Sequence, residues 1–473
     1  MRYLKTFQIG FLFLCLGAFH VSSAQETKFT SIPLTDMQAF DKPGENWMLT
    51  SNFFSDYSEP WNTRKLDQGT GVIINNLSKN HSSHLITNEE FGDIDLELDF
   101  MMDKDSNSGV YIQGRYEVQL ADSWRNPDPT FADCGGIYQR WNDSLDIKGF
   151  EGMAPLSNVS RAPGLWQHLR IRFRAPRFDA NGNKTSNAQF DEVYLNGVLV
   201  QQQVEVTGPT RASIFNDEKA SGPLVFQGDH GKVAFKNIQH HPLSQLTESN
   251  GRQGIGAIVV KPDDRPYLLR SFMMLGDKKL DYVVSVGDHQ GLNYSYDLRQ
   301  GAWFQVWRGE FIDATEMWHN RGEDQLARPL GSVIPFNDSP AIAELPNMNA
   351  KWPDSVTFDN LKSESYLLDK KGVPTFKYTI NGIKISDEIS PSTDNSGLTR
   401  TLSAENPNEN LYCRLASADT IEQVKTGLYC INGSYYIQLD TALNPLIRSQ
   451  GQQQEMLISL KKLNSPLIYS LIW

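Results

Sequence analysis

The segment from Ser108 to Leu120, SGVYIQGRYEVQL, places Tyr111, Gln113, Arg115, Glu117 and Gln119 at alternate positions. On an extended strand every second side chain leaves the same face of the sheet, so these five form one polar ladder. A carboxyl group held on a strand is a candidate general acid or base. A guanidinium two residues away is a candidate for stabilising developing negative charge. The opposite face carries Val110, Ile112, Tyr116, Val118 and Leu120, with Gly114 interrupting. An ordinary solvated sheet face gives the same alternation, usually with Lys, Thr and Ser. Tyr, Gln, Arg, Glu and Gln in succession also suit a binding cleft, and the residues alone leave both readings open.

A second dense stretch runs from Gly301 to Glu323, where Trp303, Trp307 and Trp318 lie among Arg308, Glu310, Asp313, Glu316, His319 and Arg321. It offers paired carboxylates and aromatic platforms, either for an accessory domain or for a second active site. Arg170, Arg172 and Arg174 alternate on one strand and read as a solvated or salt-bridged face. No phosphate-binding loop, dinucleotide fingerprint, GxSxG or HExxH motif occurs.

The elements that must position these residues read as short strands. Period-two alternation recurs at Ile94 to Phe100, Val110 to Leu120, Trp166 to Phe173, Asp191 to Val200 and Val233 to Ile238, each bounded by Gly, Pro, Asn or Asp. Asn181-Gly182 marks a turn, and Asn196-Gly197 within VYLNGVLV marks a tight hairpin, because both residues tolerate positive φ. Residues 244–256 have the Ser, Gln, Asn and Gly content of a linker, with a boundary near Asn250. Beyond it YVVSVG, LNYSYDL, AWFQVW, FKYTINGIKI, YYIQL and EMLISL are again strand-like, so the part from 257 to 473 is expected to be a second mostly β domain.

The first 24 residues carry Arg2 and Lys5, an apolar run from Ile9 to Phe19 and the small-residue stretch Ser22-Ser23-Ala24, the pattern of a secretory signal peptide cleaved near Ala24. No later segment has the roughly 20 apolar residues of a spanning helix. A secreted or periplasmic protein with no membrane span is expected. Lys and Arg total 44 against 56 Asp and Glu, a net charge of -12 without a long basic run, which argues against nucleic acid as a partner. The 11% aromatic content suits stacking on sugar rings and equally suits a sandwich core. Once the signal is removed, Cys134, Cys413 and Cys430 remain. Cys413 and Cys430 are either a disulfide of an exported protein or two buried thiols, and Cys134 lacks metal-site spacing.

FGDIDLELDF, NSGVYIQGRYEVQLADS, CGGIY, APGLWQHLRIRFRAPRFDANG, VYLNGVLV, VTGPT and GPLVFQGDHGKVAFKNIQHHPL occur in an order that resembles the 3-keto-disaccharide hydrolase family over residues 28–243. The resemblance implies an all-β, concanavalin-like jelly-roll β-sandwich with a sugar site on its concave face. Arg115, Glu117 and Gln119 match the family's GRYEVQ strand, with Asp122 at its end. Gln227, Asp229 and His230 match its QDHG segment, here with Gly228 inserted. Trp124, in the loop after Asp122, is the sugar-stacking candidate. Glu117, Asp122, Asp229 and His230 could also hold a divalent metal, although no ligand spacing establishes one.

The implied activity is cleavage of an oxidised glycoside. A ketone at C3 acidifies the C2 proton, so a base can remove it and expel the C1 aglycone, after which water adds. Glu117 or His230 is the expected base, Glu117 first because a strand holds it rigidly. Arg115 is expected to stabilise negative charge, and Gln119 and Gln227 to hold hydroxyls. The rivals are a non-catalytic carbohydrate-binding module and an ordinary two-carboxylate glycoside hydrolase.

Overall fold

The computed structural model describes residues 28–52, 54–61, 66–243, 257–319 and 324–473. The signal peptide read over 1–24, the linker read over 244–256, and Arg321 lie outside the described residues. No helix among the described residues is long and apolar enough to cross a membrane.

Among the described residues the first half contains sixteen strands. They are β1 (Thr30–Ser31), β2 (Trp47–Thr50), β3 (Val72–Asn75), β4 (Leu85–Phe91), β5 (Ile94–Met102), β6 (Asn107–Ile112), β7 (Tyr116–Ala121), β8 (Arg140–Trp141), β9 (Gly149–Phe150), β10 (Gln167–Arg174), β11 (Arg177–Phe178), β12 (Lys184–Ser186), β13 (Ala188–Leu195), β14 (Val198–Val206), β15 (Gly222–Phe226) and β16 (Val233–Pro242). An eight-stranded antiparallel sheet runs β14-β13-β10-β5-β16-β3-β2, with β1 added on β16, and a four-stranded sheet runs β4-β15-β6-β7. The two sheets face each other as a jelly-roll sandwich. Alternation explains why: Leu96, Leu98 and Phe100 of β5 and Val110, Ile112, Val118 and Leu120 of β6 and β7 are all completely buried in one core.

The polar ladder is not one strand, however. Gln113 and Gly114 have φ of 58° and 65°, the left-handed pair of a tight hairpin turn, so the segment folds back on itself. Tyr111 then pairs directly with Glu117, and Gly109 with Gln119. The period-two pattern survived the turn because three residues, 113–115, separate the last pair Ile112 and Tyr116, and a connection of odd length keeps the odd-numbered residues of both arms on one face. Asn196 and Gly197, with φ of 52° and 81°, close the β13–β14 hairpin as the sequence indicates. The arginines of β10 are ion-paired: Arg170 to Asp95, Arg172 to Glu192 and Arg174 to Asp191, each at 2.7 Å.

The second half is β-rich throughout. A six-stranded sheet built from strands between Val259 and Pro335 is followed by a four-stranded and an eight-stranded sheet. Their shared core takes in Trp124, Ala162 and Leu165 from the first half. The Tyr436 hydroxyl lies between the carbonyls of Ser55 (2.9 Å) and Pro163 (3.0 Å), and the Trp166 amide donates to the Gly433 carbonyl.

The proposed Cys413–Cys430 bridge is corrected here. Cys413 sits on the strand Leu411–Ala418 of the four-stranded sheet and Cys430 on Leu428–Ile431 of the eight-stranded one, and both are free and buried, as is Cys134. Burial pushes the Cys413 thiol up to about 11 and the Cys430 thiol up to about 12. They behave as small apolar core residues.

One charged pair lies at the centre of that core. Arg400 and Asp387, both wholly buried, are joined twice, while Tyr296 donates to Asp387 at 2.8 Å and Arg400 donates to the Tyr469 hydroxyl at 3.1 Å. Arg400→Met leaves the Asp387 carboxylate buried without its counter-charge, and is expected to cost roughly 3–5 kcal/mol. The double variant Arg400→Met/Asp387→Leu should recover part of that loss. Urea unfolding midpoints of the wild type and both variants check this.

Candidate active site

The hairpin β6–β7 turns its apolar side chains into the sandwich and leaves Tyr111, Glu117 and Gln119 on the other face of the four-stranded sheet. All three are nonetheless buried. Glu117 lies over Gly109, where an added Cβ would stand 2.2 Å from its Oε1, so only glycine lets the carboxyl fold down onto the neighbouring strand. Tyr111, opposite in register, donates a hydrogen bond to it. Burial pushes the Glu117 carboxyl up to about 8 against that hydrogen bond, and the Asp229 carboxylate adds to the rise. The Tyr111 phenol is raised far above its ordinary value by burial and then by the charge of Glu117. Gln119 donates to Asn107 at 2.8 Å.

The second group arrives on the loop that joins β15 to β16. The Gln227 amide N–H donates to the Gly109 carbonyl at 2.9 Å, which seats the start of this loop beside Tyr111 and Glu117. The inserted Gly228 has a clear reason: a Cβ there would lie 2.1 Å from the Ser83 carbonyl, and its own N–H donates to His84 Nδ1 at 3.2 Å. Asp229 follows, with Oδ1 2.6 Å from His230 Nδ1 and 3.9 Å from His84 Nδ1. An aspartate oxygen only accepts, so His230 Nδ1 carries the proton and its Nε2 holds the free lone pair. The His230 side chain is about half exposed (53%). The Gln227 amide lies 3.3 Å from the same Nδ1.

His84, immediately before β4, escaped the sequence reading. It stands across from Gln227 because Leu85 pairs with Phe226. Burial holds its imidazole below the ordinary value, the Asp229 carboxylate opposing and His230 reinforcing that shift. Nothing in NHSSHLITNEEF marks it, since its role depends on strand pairing across 142 residues of chain between Leu85 and Gly228 and not on local spacing.

Four sequence candidates are placed elsewhere. Arg115, just past the turn, donates to the carbonyls of Gln113 and Asp217 and to the Asp217 carboxylate, and its guanidinium lies over the Phe215 ring. It is committed to the 207–221 loop, not to Glu117. Gln113 is a turn residue whose amide donates to the carbonyls of Phe91 and Ala220. Asp122 accepts from the Asp105 amide and braces the turn between β5 and β6. Among the described residues no three His, Cys, Asp or Glu side chains form a metal-binding group. Trp124 is only 4% exposed, with the Arg125 and Arg308 guanidiniums 5.2 and 5.5 Å from its ring, and it packs in the core shared with the second half. What remains open of it borders a cleft lined by Arg125, Asn158, His289 and Arg308, whose lining includes neither Glu117 nor His230.

The dense stretch of the second half is mostly structural. Trp303 and Trp307 are buried, Glu310 pairs with Lys261 at 2.8 Å and Glu316 with Arg328 at 2.9 Å, while Trp318 is exposed.

Residues 42–240 match the model of the 3-keto-alpha-glucoside-1,2-lyase-like domain. No curated protein matches the chain. Two crystal structures from Parabacteroides distasonis ATCC 8503, glycosyl hydrolases by provisional assignment, are similar to it. One is 23% identical, covering 45% of this chain and 84% of its own with a TM-score of 0.31. The other is 22% identical, covering 45% and 100% with a TM-score of 0.30. The botulinum neurotoxin serotype D binding domain is 10% identical, covering 93% and 96% with a TM-score of 0.27.

The raised Glu117 carboxyl has a thermodynamic consequence. The folded state keeps this proton up to about 8 whereas the unfolded chain releases it near the ordinary 4.5, so Glu117 should erode stability as pH rises between those values. The slope from this single group reaches at most about 1.4 kcal/mol per pH unit. Glu117→Gln should remove that component, becoming progressively more stable relative to wild type from pH 5 to pH 8 by urea unfolding; parallel profiles would contradict it.

Proposed function

Because residues 42–240 belong to the 3-keto-alpha-glucoside-1,2-lyase-like family, we propose that this carbohydrate-active protein cleaves 3-keto-glycosides by elimination across C1 and C2 followed by addition of water. The observation that supports this reading is the pairing of Asp229 with His230 beside the buried Glu117 acid. His230 Nε2 removes the C2 proton, and the electron pair left behind moves onto the C3 carbonyl oxygen as an enolate. The enolate then collapses, a C1=C2 double bond forms, and the C1–O bond to the aglycone breaks. Water adding at C1 returns the free keto sugar.

Of the two bases considered from sequence, His230 suits the role better. A carboxyl held protonated at neutral pH is a proton donor, so Glu117 is assigned to the departing aglycone oxygen. Asp229 keeps the imidazole in the basic tautomer and stabilises the imidazolium that forms, the part a carboxylate plays beside a catalytic histidine. Gln119 and Gln227 are proposed to hold sugar hydroxyls. Arg115 drops out of the mechanism because its donors are spent on Gln113 and Asp217. Export, as expected from the N-terminal sequence, would put this chemistry outside the cytoplasm.

The test is incubation of the full chain with a 3-keto-disaccharide and with its unoxidised parent, the products being identified by mass in deuterated water. Turnover of the keto form alone, with deuterium at C2, is the expected result. Equal cleavage of the parent would point to ordinary two-carboxylate hydrolysis, and cleavage of neither to a binding module. His230→Ala should lower kcat by about 10²–10⁴-fold while remaining folded; an unchanged kcat would remove His230 as the base.

A further inference from the structure

Two imidazoles flank Asp229, and their surroundings impose opposite tautomers. His230 Nδ1 faces the Asp229 carboxylate at 2.6 Å and therefore carries a proton, leaving Nε2 as a lone pair. His84 Nδ1 instead receives the Gly228 backbone N–H at 3.2 Å. A nitrogen that accepts an N–H must itself be unprotonated, so the His84 proton resides on Nε2 and the ring is neutral. With Nδ1 taken by the backbone, the group His84 has left to offer a ligand is an N–H donor. Its side chain keeps 26% of its surface open, so the ring reaches beyond the packed sheet.

This tautomer is built into the fold. Gly228 can lie against the Ser83 carbonyl, next to His84, only because it lacks a Cβ, and the loop is held there by the Asn75 amide, which donates to the Gly228 and Gly231 carbonyls at 3.1 and 2.7 Å. Asn75 is in turn anchored by Asn46, whose amide donates to it at 2.8 Å and to the Ser83 carbonyl, next to His84, at 2.9 Å. The Asn46–Asn75 pair thus sets both the loop carrying His230 and the backbone entering His84.

We infer that His84 is a second catalytic residue of this site, a neutral imidazole whose Nε2–H hydrogen-bonds the C3 carbonyl oxygen and stabilises the enolate formed when His230 takes the C2 proton. The inference rests on the proposed elimination. The proton on His84 is not transferred: the C2 proton goes to His230, the electron pair goes to the C3 oxygen, and His84 contributes a hydrogen bond that strengthens as negative charge grows there. A neutral donor suits this task, because a positively charged imidazole 3.9 Å from Asp229 would be tied up by that carboxylate. It also supplies the charge-stabilising group that Arg115, turned away into the 207–221 loop, does not.

The experiment compares wild type, His84→Ala and His84→Gln in the full chain, measuring kcat and KM on a 3-keto-disaccharide together with the thermal midpoint of each variant. Loss of one donor to a developing oxyanion should lower kcat by about 10²–10³-fold in His84→Ala and leave KM within a few-fold, because the contact strengthens only in the transition state. His84→Gln, which retains an N–H donor, should recover at least about tenfold of that loss. A wild-type kcat in His84→Ala overturns the inference. So does a loss that appears in KM alone, or an equal kcat loss in both variants. Wild-type protein that leaves the 3-keto-disaccharide intact overturns the proposed elimination itself, an outcome distinct from any failure of the His84 variants.

Discussion

The buried Asn75 side chain, at the end of a strand in the eight-stranded sheet, donates to the carbonyls of Gly228 and Gly231 and accepts from Asn46. Two of these hydrogen bonds tie a loop that leaves the four-stranded sheet to β3 of the opposite one, and the third holds Asn75 in place. A loop of this kind, rich in glycine, would otherwise sample many backbone conformations. Pinned at both ends, it presents Asp229 and His230 over the β6–β7 hairpin in one arrangement. Loss of a buried amide with several partners leaves carbonyls unsatisfied as well as the loop free, which is why side chains of this type hold sites more firmly than apolar contacts alone.

Desolvation does the remaining work at the site. Tyr111, Glu117 and Gln119 occupy the face of a sheet that would be solvated in an ordinary sandwich, yet they are buried beneath the surrounding loops. A carboxyl in that setting loses more by ionising than a solvated one, and Asp229 nearby makes ionisation costlier still. The result is a carboxyl held neutral near an imidazole that the Asp229 carboxylate orients.

The second half is joined to the first by more than a connecting segment. Trp124 and Leu165 enter its core, the Tyr436 hydroxyl meets two carbonyls of the first half, and Lys425 pairs with Asp56. Contacts of this kind bury apolar surface and satisfy backbone acceptors at once, so the two halves stabilise each other. The Asp387–Arg400 pair shows the same logic within the second core, where each charge is tolerable only because the other is present.

Much of this was legible in the amino-acid order. Alternation marked the strands, Asn196-Gly197 marked its hairpin, and the apolar face of Val110 to Leu120 marked the core, because pleat geometry writes a period of two directly into the chain. The motifs around Glu117 and His230 likewise named residues that the fold brings to one face of the four-stranded sheet. What alternation cannot encode is a turn that preserves its own period, so the Gln113-Gly114 reversal, and with it the removal of Arg115 from the cleft, was hidden. Nor can spacing reveal which thiols share a sheet, which separated Cys413 from Cys430 onto different sheets, or which tryptophan meets a second core, which buried Trp124. His84 is the clearest case. Its neighbours Gly228, Asp229 and His230 stand more than 140 residues away in the chain, and only the pairing of β4 with β15 and the anchorage by Asn75 bring them together. Local sequence determined the elements and the residue types available. Long-range strand pairing decided which of those residues meet, because hydrogen-bond register between distant segments depends on the whole sandwich closing around its core.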